Sequence, residues 1–214
     1  MKNPFTFLLK KLFTADYPYC IYCGKEYGVD EKTLACPACA AKLPAGMDEG
    51  QVFGFNYTAC YQFDGPVRNL IHRYKYNGER YLGERLAMLM QQTMQQNGVE
   101  AQGIVNVPLH KNKRKKRGYD QSRCMARALA ERTGIPYIEA LKRNKDTVSQ
   151  THLTREERLE NVKDVFAVKE NIAGLRLLLI DDVLTTGSTA CECARSLIKA
   201  GAKEVRILVF AKAL

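Results

Sequence analysis

The 214-residue sequence contains no run of 18 apolar residues, so no membrane span is expected from it. The apolar stretch at its start, FTFLLKKLF at residues 5–13, is too short for a secretory h-region and is interrupted by Lys10 and Lys11. A helix packing on the body is expected there, and a cytoplasmic location follows. Neither GxxxxGK[ST] nor GxGxxG occurs, so P-loop and dinucleotide-binding readings lack their fingerprints. Histidine is scarce: His72, His110 and His152 are the only three, and they match no ligand pattern with the cysteines. Structural or surface roles are expected for them, with His110 of interest because it abuts a basic stretch.

What is present begins with cysteine. Cys20, Cys23, Cys36 and Cys39 form CxxC, twelve residues, CxxC, a spacing that lets two knuckles present four thiolates to one tetrahedral zinc. A rubredoxin-like iron site and disulfides are the competing readings. Gly24 follows the first pair, where a knuckle turn gains from a residue without Cβ. Four protein ligands leave no open position, so the metal is expected to be structural and to supply folding energy to a ribbon too small for its own core. Cys60, Cys124, Cys191 and Cys193 lack metal spacing and read as ordinary small residues.

The chemistry is expected around Leu175–Thr189, LRLLLIDDVLTTGST. Leu177–Ile180 is a continuous apolar run suited to a strand buried on both faces. Asp181 and Asp182 stand where that strand is expected to end. Thr185, Thr186, Gly187, Ser188 and Thr189 follow, and then apolar residues at helical spacing. A helix start offers unpaired N–H groups and a positive dipole end to a phosphate, and the hydroxyls add donors. Carboxylates repel phosphate but accept hydrogen bonds from sugar hydroxyls. Adjacent strand residues point to opposite faces, so both carboxylates can serve one ligand only if the chain has left the pleat by Asp182. A ribose 5-phosphate fits the arrangement; a buried strand with a helix merely capped by Ser188 or Thr189 is the plainer alternative.

Six of the seven residues from Lys111 to Arg117 are basic, against a net charge of +10 for the whole chain. They are expected on a loop after the apolar strand Ile104–Pro108, as a local anion site. A solvated charge run, a pyrophosphate clamp and a nucleic-acid contact compete for it, and its place at the end of a parallel strand favours a ligand. Elsewhere, residues 40–50 read as a linker, Val52–Phe63 as a strand, and Val67–Tyr76, Leu82–Gln96 and Asp120–Arg132 as helices. Tyr137–Arg143, Phe166–Val168, Leu175–Asp181 and Val205–Phe210 are expected as further core strands. Residues 144–162 are polar and read as a lid with a short helix from Thr154. Strands alternating with helices predict an α/β fold with a three-layer, mostly parallel sheet. The expected division is residues 1–45 as N-terminal helix and zinc ribbon and 46–214 as the main domain.

IDDVLTTGST resembles the PRPP-binding signature of the type I phosphoribosyltransferases, in which the acidic pair binds ribose hydroxyls and the loop binds the 5-phosphate. The four-cysteine ribbon, RYKYNGE, VPLH followed by RGYDQ, SQTHLTREERLEN and IDDVLTTGST occur in an order similar to the ComF/GntX family of phosphoribosyltransferase-like proteins. The resemblance implies catalytic roles for Asp181, Asp182 and Arg158, and PRPP binding by these aspartates with Thr185–Thr189. It implies pyrophosphate contact by Arg117, Gly118 and Gln121, a lid carrying Gln150, Arg158 and Asn161, and a nucleobase hood at about residues 46–100; the basic run itself adds Lys113, Arg114, Lys115 and Lys116 as pyrophosphate or DNA contacts, and the polar segment adds Arg155 to the lid. Mg²⁺ with PRPP is the implied cofactor. The family's association with DNA uptake in natural transformation implies single-stranded DNA and DNA-uptake proteins as partners. The alternative is a non-catalytic single-stranded DNA-binding protein on the same fold, with Tyr74, Tyr76, Tyr81 and Tyr119 interleaved among basic residues.

Overall fold

The computed structural model describes residues 19–25, 30, 32–44, 46–143 and 165–213. In chain order the elements are α1 (Pro37–Ala40), β1 (Gly46–Val52), β2 (Phe55–Gln62), α2 (Gly65–Tyr76), α3 (Leu82–Gln96), β3 (Gly103–Asn106), α4 (Lys111–Arg117), α5 (Gln121–Thr133), β4 (Leu141–Arg143), β5 (Phe166–Val168), β6 (Arg176–Leu184), α6 (Ser188–Lys199) and β7 (Glu204–Lys212). The expected helix at residues 5–13 and the one beginning at Thr154 lie outside the described residues.

The main sheet has the order β1-β2-β7-β6-β3, parallel except for the β1–β2 hairpin at its edge. Leu177, Leu178, Leu179 and Ile180 of β6 are all buried, as a strand covered on both faces requires. Leu178 and Ile180 join a cluster with the buried faces of α2, α3 and α5, including Leu82, Leu86, Leu89, Met90 and Met94. Leu177 and Leu179 join the other cluster, with Ala190, Cys191, Cys193, Ala194 and Leu197 of α6. The three-layer, mostly parallel α/β architecture is therefore the one the alternating pattern predicts, and Cys191 and Cys193 are core residues of it.

Three expectations for its elements are corrected. Residues 46–50 are not linker: they form β1, whose sequence GMDEGQV hides the strand because its cross-strand partners are polar. Asp48 accepts from Tyr57 Oη at 3.2 Å and pairs with Lys212 at 2.8 Å, while Glu49 pairs with Arg206 at 3.0 Å. The turn at Phe53 and Gly54, φ +48° and +84°, has the positive φ at both central residues that a twisted hairpin needs. The basic stretch is not a loop but a two-turn helix, α4, capped by the His110 side chain accepting from Asn112 N–H at 3.1 Å and ended by Gly118 at φ +79°. Finally, Tyr137–Arg143 and Phe166–Val168 do not extend the parallel sheet. Tyr137 makes a single parallel bridge to Ile104, and β4 pairs with β5 in a separate antiparallel ladder.

Candidate functional site

β6 runs past the acidic pair: its pairing with β7 continues through Asp181↔Val209 to Leu184↔Lys212, which corrects the expected strand end. The chain has therefore not left the strand at Asp182, and the two carboxylates part. Asp182 turns toward α2, where its Oδ1 lies 2.7 Å from Lys75 Nζ, both side chains largely buried. Asp181 lines a small cavity of about 60 Å³ together with Thr185, Thr186, Gly187, Ser188 and Thr189. That volume is several times what one water needs. Burial, and then the negative charge of Asp182, push the Asp181 carboxyl up to about 8, with Lys75 pulling the other way.

The cradle is built by a glycine and an open helix end. Gly187 has φ +78°, and a Cβ there would meet Val52 Cγ2 of β1 at 2.5 Å, so both conformation and space demand glycine. It is also the N-cap of α6, and no side chain caps that end. The Ser188 hydroxyl instead lies 3.0 Å from the Thr186 hydroxyl, which removes the plain capping alternative. The first intrahelical bond runs from Cys191 N–H to Gly187 O at 2.9 Å. The preceding N–H groups face the cradle end of the helix with its positive dipole.

Cations gather beside it. Val107 N–H donates to Ile180 O at 3.0 Å, which places the chain leading from β3 into α4 next to the acidic pair. Lys113 of α4 titrates below the usual lysine range because it is crowded by protein and by the charges of Arg117, Arg143 and Lys75. Arg117 donates to Gln121 Oε1 at 3.0 Å and to Tyr76 Oη at 3.2 Å, and lies over the Tyr76 ring at 5.0 Å. Lys111 and Lys113–Lys116 are exposed. Asp120 adds negative charge that is felt at Asp181, but its oxygens are taken up by the backbone. Its carboxylate accepts from the N–H groups of Leu109 and Arg123, each at 3.0 Å, and from the Ser122 hydroxyl, and so ties the loop to the start of α5.

Of the residues expected from sequence, Asp181 and Thr185–Thr189 come together, with Asp182 behind them, and Lys113, Arg117, Gly118 and Gln121 stand alongside. Gln150, Arg155, Arg158 and Asn161 lie outside the described residues. Sequence reasoning missed Lys75 and Arg143 as members of the charged cluster. The basic and aromatic alternation of RYKYNGE was the available signal for Lys75.

The four cysteines meet as their spacing predicts, with all four Sγ atoms within 4.8 Å of one another and Cys23 Sγ 3.9 Å from Cys36 Sγ. A tetrahedral ion with Zn–S bonds of about 2.3 Å needs sulfurs about 3.8 Å apart, so the set can hold a metal ion such as zinc. Without a metal, burial raises the thiols of Cys23 and Cys39, while at Cys20 burial is outweighed by backbone N–H groups at Cys36, Cys23 and Tyr22, which lower it. Gly24 has φ +72°, and its N–H closes the knuckle on Cys20 O at 2.8 Å. The ribbon packs into the α2–α3 cluster through Ile21, Tyr22, Leu34 and Ala35. Arg73 of α2 fastens it, donating to the carbonyls of Ile21 and Tyr22 at 2.9 and 3.2 Å.

The profile of the phosphoribosyl transferase domain matches residues 115–214, which hold the end of the basic helix, β6 and the cradle. Competence protein F of Haemophilus influenzae is 30% identical over 208 residues, 92% of this chain and 86% of that protein. DNA utilization protein YhgH of Salmonella typhi is 28% identical over 201 residues, 91% of this chain and 84% of that one. A solved structure of the allosteric regulatory enzyme of purine biosynthesis is 25% identical with a TM-score of 0.45, over 64% of this chain; the match spans only 29% of that chain. Among the described residues no helix is long and apolar enough to cross a membrane.

Proposed function

Because the chain belongs to the competence protein F (ComF) family and carries a phosphoribosyltransferase-like domain, we propose that it binds PRPP with Mg²⁺, or a ribose 5-phosphate, at the Asp181–Thr189 cradle. The observation that carries this reading is the union, in one small cavity, of a carboxylate, hydroxyls and the uncapped N-terminus of a three-turn helix. The 5-phosphate takes the N–H groups and hydroxyls, and the ribose diol donates to Asp181. Asp182, neutralised by Lys75, fixes the charge balance beneath it. Lys113, Arg117 and Arg143 supply positive charge for the pyrophosphate, and Arg158 of the expected lid is a further candidate.

Mg²⁺ is a hard cation that keeps several waters, and oxygen donors are what this end of the sheet offers. When bound with PRPP it would help neutralise the leaving pyrophosphate, and Asp181 would be the cradle residue to hold it through its waters, with Asp182 acting only indirectly. The chemistry then open to the site is displacement at the anomeric carbon, for which the protein's part is positioning and charge stabilisation. The ribbon's metal is zinc in a structural role. The printed names of the relatives, competence and DNA utilization, support a role in DNA uptake and handling. Calorimetric titration with PRPP, with and without Mg²⁺, tests the reading. Binding that needs Mg²⁺ and disappears in the double variant Asp181→Asn, Asp182→Asn supports it, and a double variant that binds as tightly as the natural protein overturns it.

One observation favours a second reading. α4 presents a solvent-facing row of Lys113, Arg114, Lys115 and Lys116 beside the exposed ring of Tyr76, which suits contact with single-stranded DNA by charge and stacking. Neutralising those four residues should flatten the salt dependence of oligonucleotide binding by about 2 to 3 units in slope; an unchanged slope excludes α4 from the contact.

A further inference from the structure

A second, larger cavity of about 460 Å³ opens between the start of α3 and the outer face of α5, with Arg80, Tyr81, Arg123 and Arg127 in its wall together with the carboxylates Glu84 and Glu131. It has no lining residue in common with the cradle. A smaller cavity of about 180 Å³ adjoins it at Tyr81 and reaches the ribbon at Tyr19 and Cys20. The size of the larger one is that of a small-molecule site. Two of its arginines are held in place: Arg123 pairs with Glu139 at 2.7 Å, and Arg127 lies over the Tyr137 ring at 5.9 Å.

The aromatic in the wall is both exposed and anchored, as Tyr76 is beside α4. Tyr81 is 44% exposed, and it and Tyr19 are two of the five large hydrophobic side chains exposed among the described residues. Its hydroxyl donates to Glu79 Oε2 at 2.7 Å, Glu79 is gripped by Arg73 through Nε at 2.8 Å, and Arg73 holds the ribbon carbonyls. A chain of hydrogen bonds thus runs from the metal ribbon to one exposed ring. A ring fixed in advance stacks on a flat partner without losing further freedom, and three guanidiniums against the two wall carboxylates Glu84 and Glu131 leave the cleft favouring a partner that carries an anion, Arg80 and Arg127 foremost because Arg123 is shared with Glu139.

We infer that this cleft is a binding site for a nucleotide unit, its base stacked on Tyr81 and its phosphate held by Arg80, Arg123 and Arg127, and that the ribbon serves to position that ring. The unit can come as a free mononucleotide or as one residue of a single strand. The inference stands apart from PRPP binding at the cradle and from strand contact along α4.

Because the chain has no tryptophan, Tyr81→Trp places a single indole in the cleft, and a stacked base will quench it. The metal-loaded full chain is titrated at low salt with thymidine monophosphate and with a short oligothymidylate. Quenching by both assigns a free nucleotide site, and quenching by the oligonucleotide alone assigns the site to a strand. In the second arm the natural Tyr81 is kept and binding of a labelled oligonucleotide is read by anisotropy. Tyr81→Ala should weaken it about 5- to 100-fold, and Arg80→Ala with Arg127→Ala should lower its salt slope by about one unit. PRPP binding should be unchanged in these variants. No quenching by either ligand, or oligonucleotide affinity that survives Tyr81→Ala, overturns the inference. Failure of PRPP binding with quenching intact would instead remove the cradle reading alone.

Discussion

Asp181→Asn separates what this carboxylate does for binding from what it does to stability. In the folded protein the group is pushed from 3.8 up to about 8 by burial and by Asp182 beside it. In the unfolded chain it titrates as an ordinary aspartate. Between those two values the folded state holds a proton that the unfolded state has lost, so stability falls as pH rises through this window and levels off above about pH 8. The amide of the Asp181→Asn variant carries no such dependence. The stability gap between variant and natural protein should therefore widen by about 1.4 kcal/mol per pH unit from pH 6 to 8, up to about 3 kcal/mol in all. For a chain of this size that is a relative Tm gain of roughly 6 to 12 °C. Thermal unfolding followed at pH 6, 7, 8 and 9 in the metal-loaded protein reads it directly, and PRPP titration of the same samples should show affinity lost. A Tm difference that stays constant across the series would refute the argument that Asp181 is a crowded, desolvated carboxylate.

Lys75→Met leaves Asp182 as a buried charge without its partner and should lower stability by about 3 kcal/mol, measured by denaturant unfolding; a neutral outcome would mean the 2.7 Å pair is not held in solution. Gly187→Ala sets a Cβ against Val52 and forces a side chain into positive φ, so it should lower stability by at least 1 to 2 kcal/mol and abolish phosphate-dependent protection, read by Tm with and without PRPP. Metal emission should find one zinc per chain. Its removal by a chelator should lower the Tm, since Ile21, Tyr22, Leu34 and Ala35 pack in the same cluster as α2 and α3, and a Tm indifferent to chelator would show that the ribbon does not depend on its metal.

The parts of this molecule legible in its sequence are those where one rule acts alone. The apolar run Leu177–Ile180, the stripe Leu82 to Met94 and the paired CxxC motifs each satisfy a single period or spacing, and each folds as that rule demands. β1 was opaque because its stability rests on pairs such as Asp48 with Lys212 and Glu49 with Arg206, whose partners lie far along the chain. The KNKRKKR segment reads as a loop because like charges repel, yet His110 and Gly118 supply both caps and turn it into a helix. β4 and β5 have strand composition, which cannot say which neighbour a strand will choose. The cradle was legible as a motif; that only Asp181 faces it, with Asp182 held by Lys75, depends on a contact between residues 107 positions apart.

The strand order carries a consequence for how the chain is made. β7 lies in the middle of the sheet, hydrogen-bonded to β2 on one side and β6 on the other, although it is the last of the five strands to be synthesised. The edge hairpin and the strand bearing the aspartates are left without a common neighbour until residues 204–212 emerge, so the body closes in one late, long-range step. The cysteine ribbon, near the opposite end and with its four thiols all between residues 20 and 39, can take its metal well before then. A polypeptide interrupted ahead of β7 would thus display a finished ribbon on an open, aggregation-prone sheet.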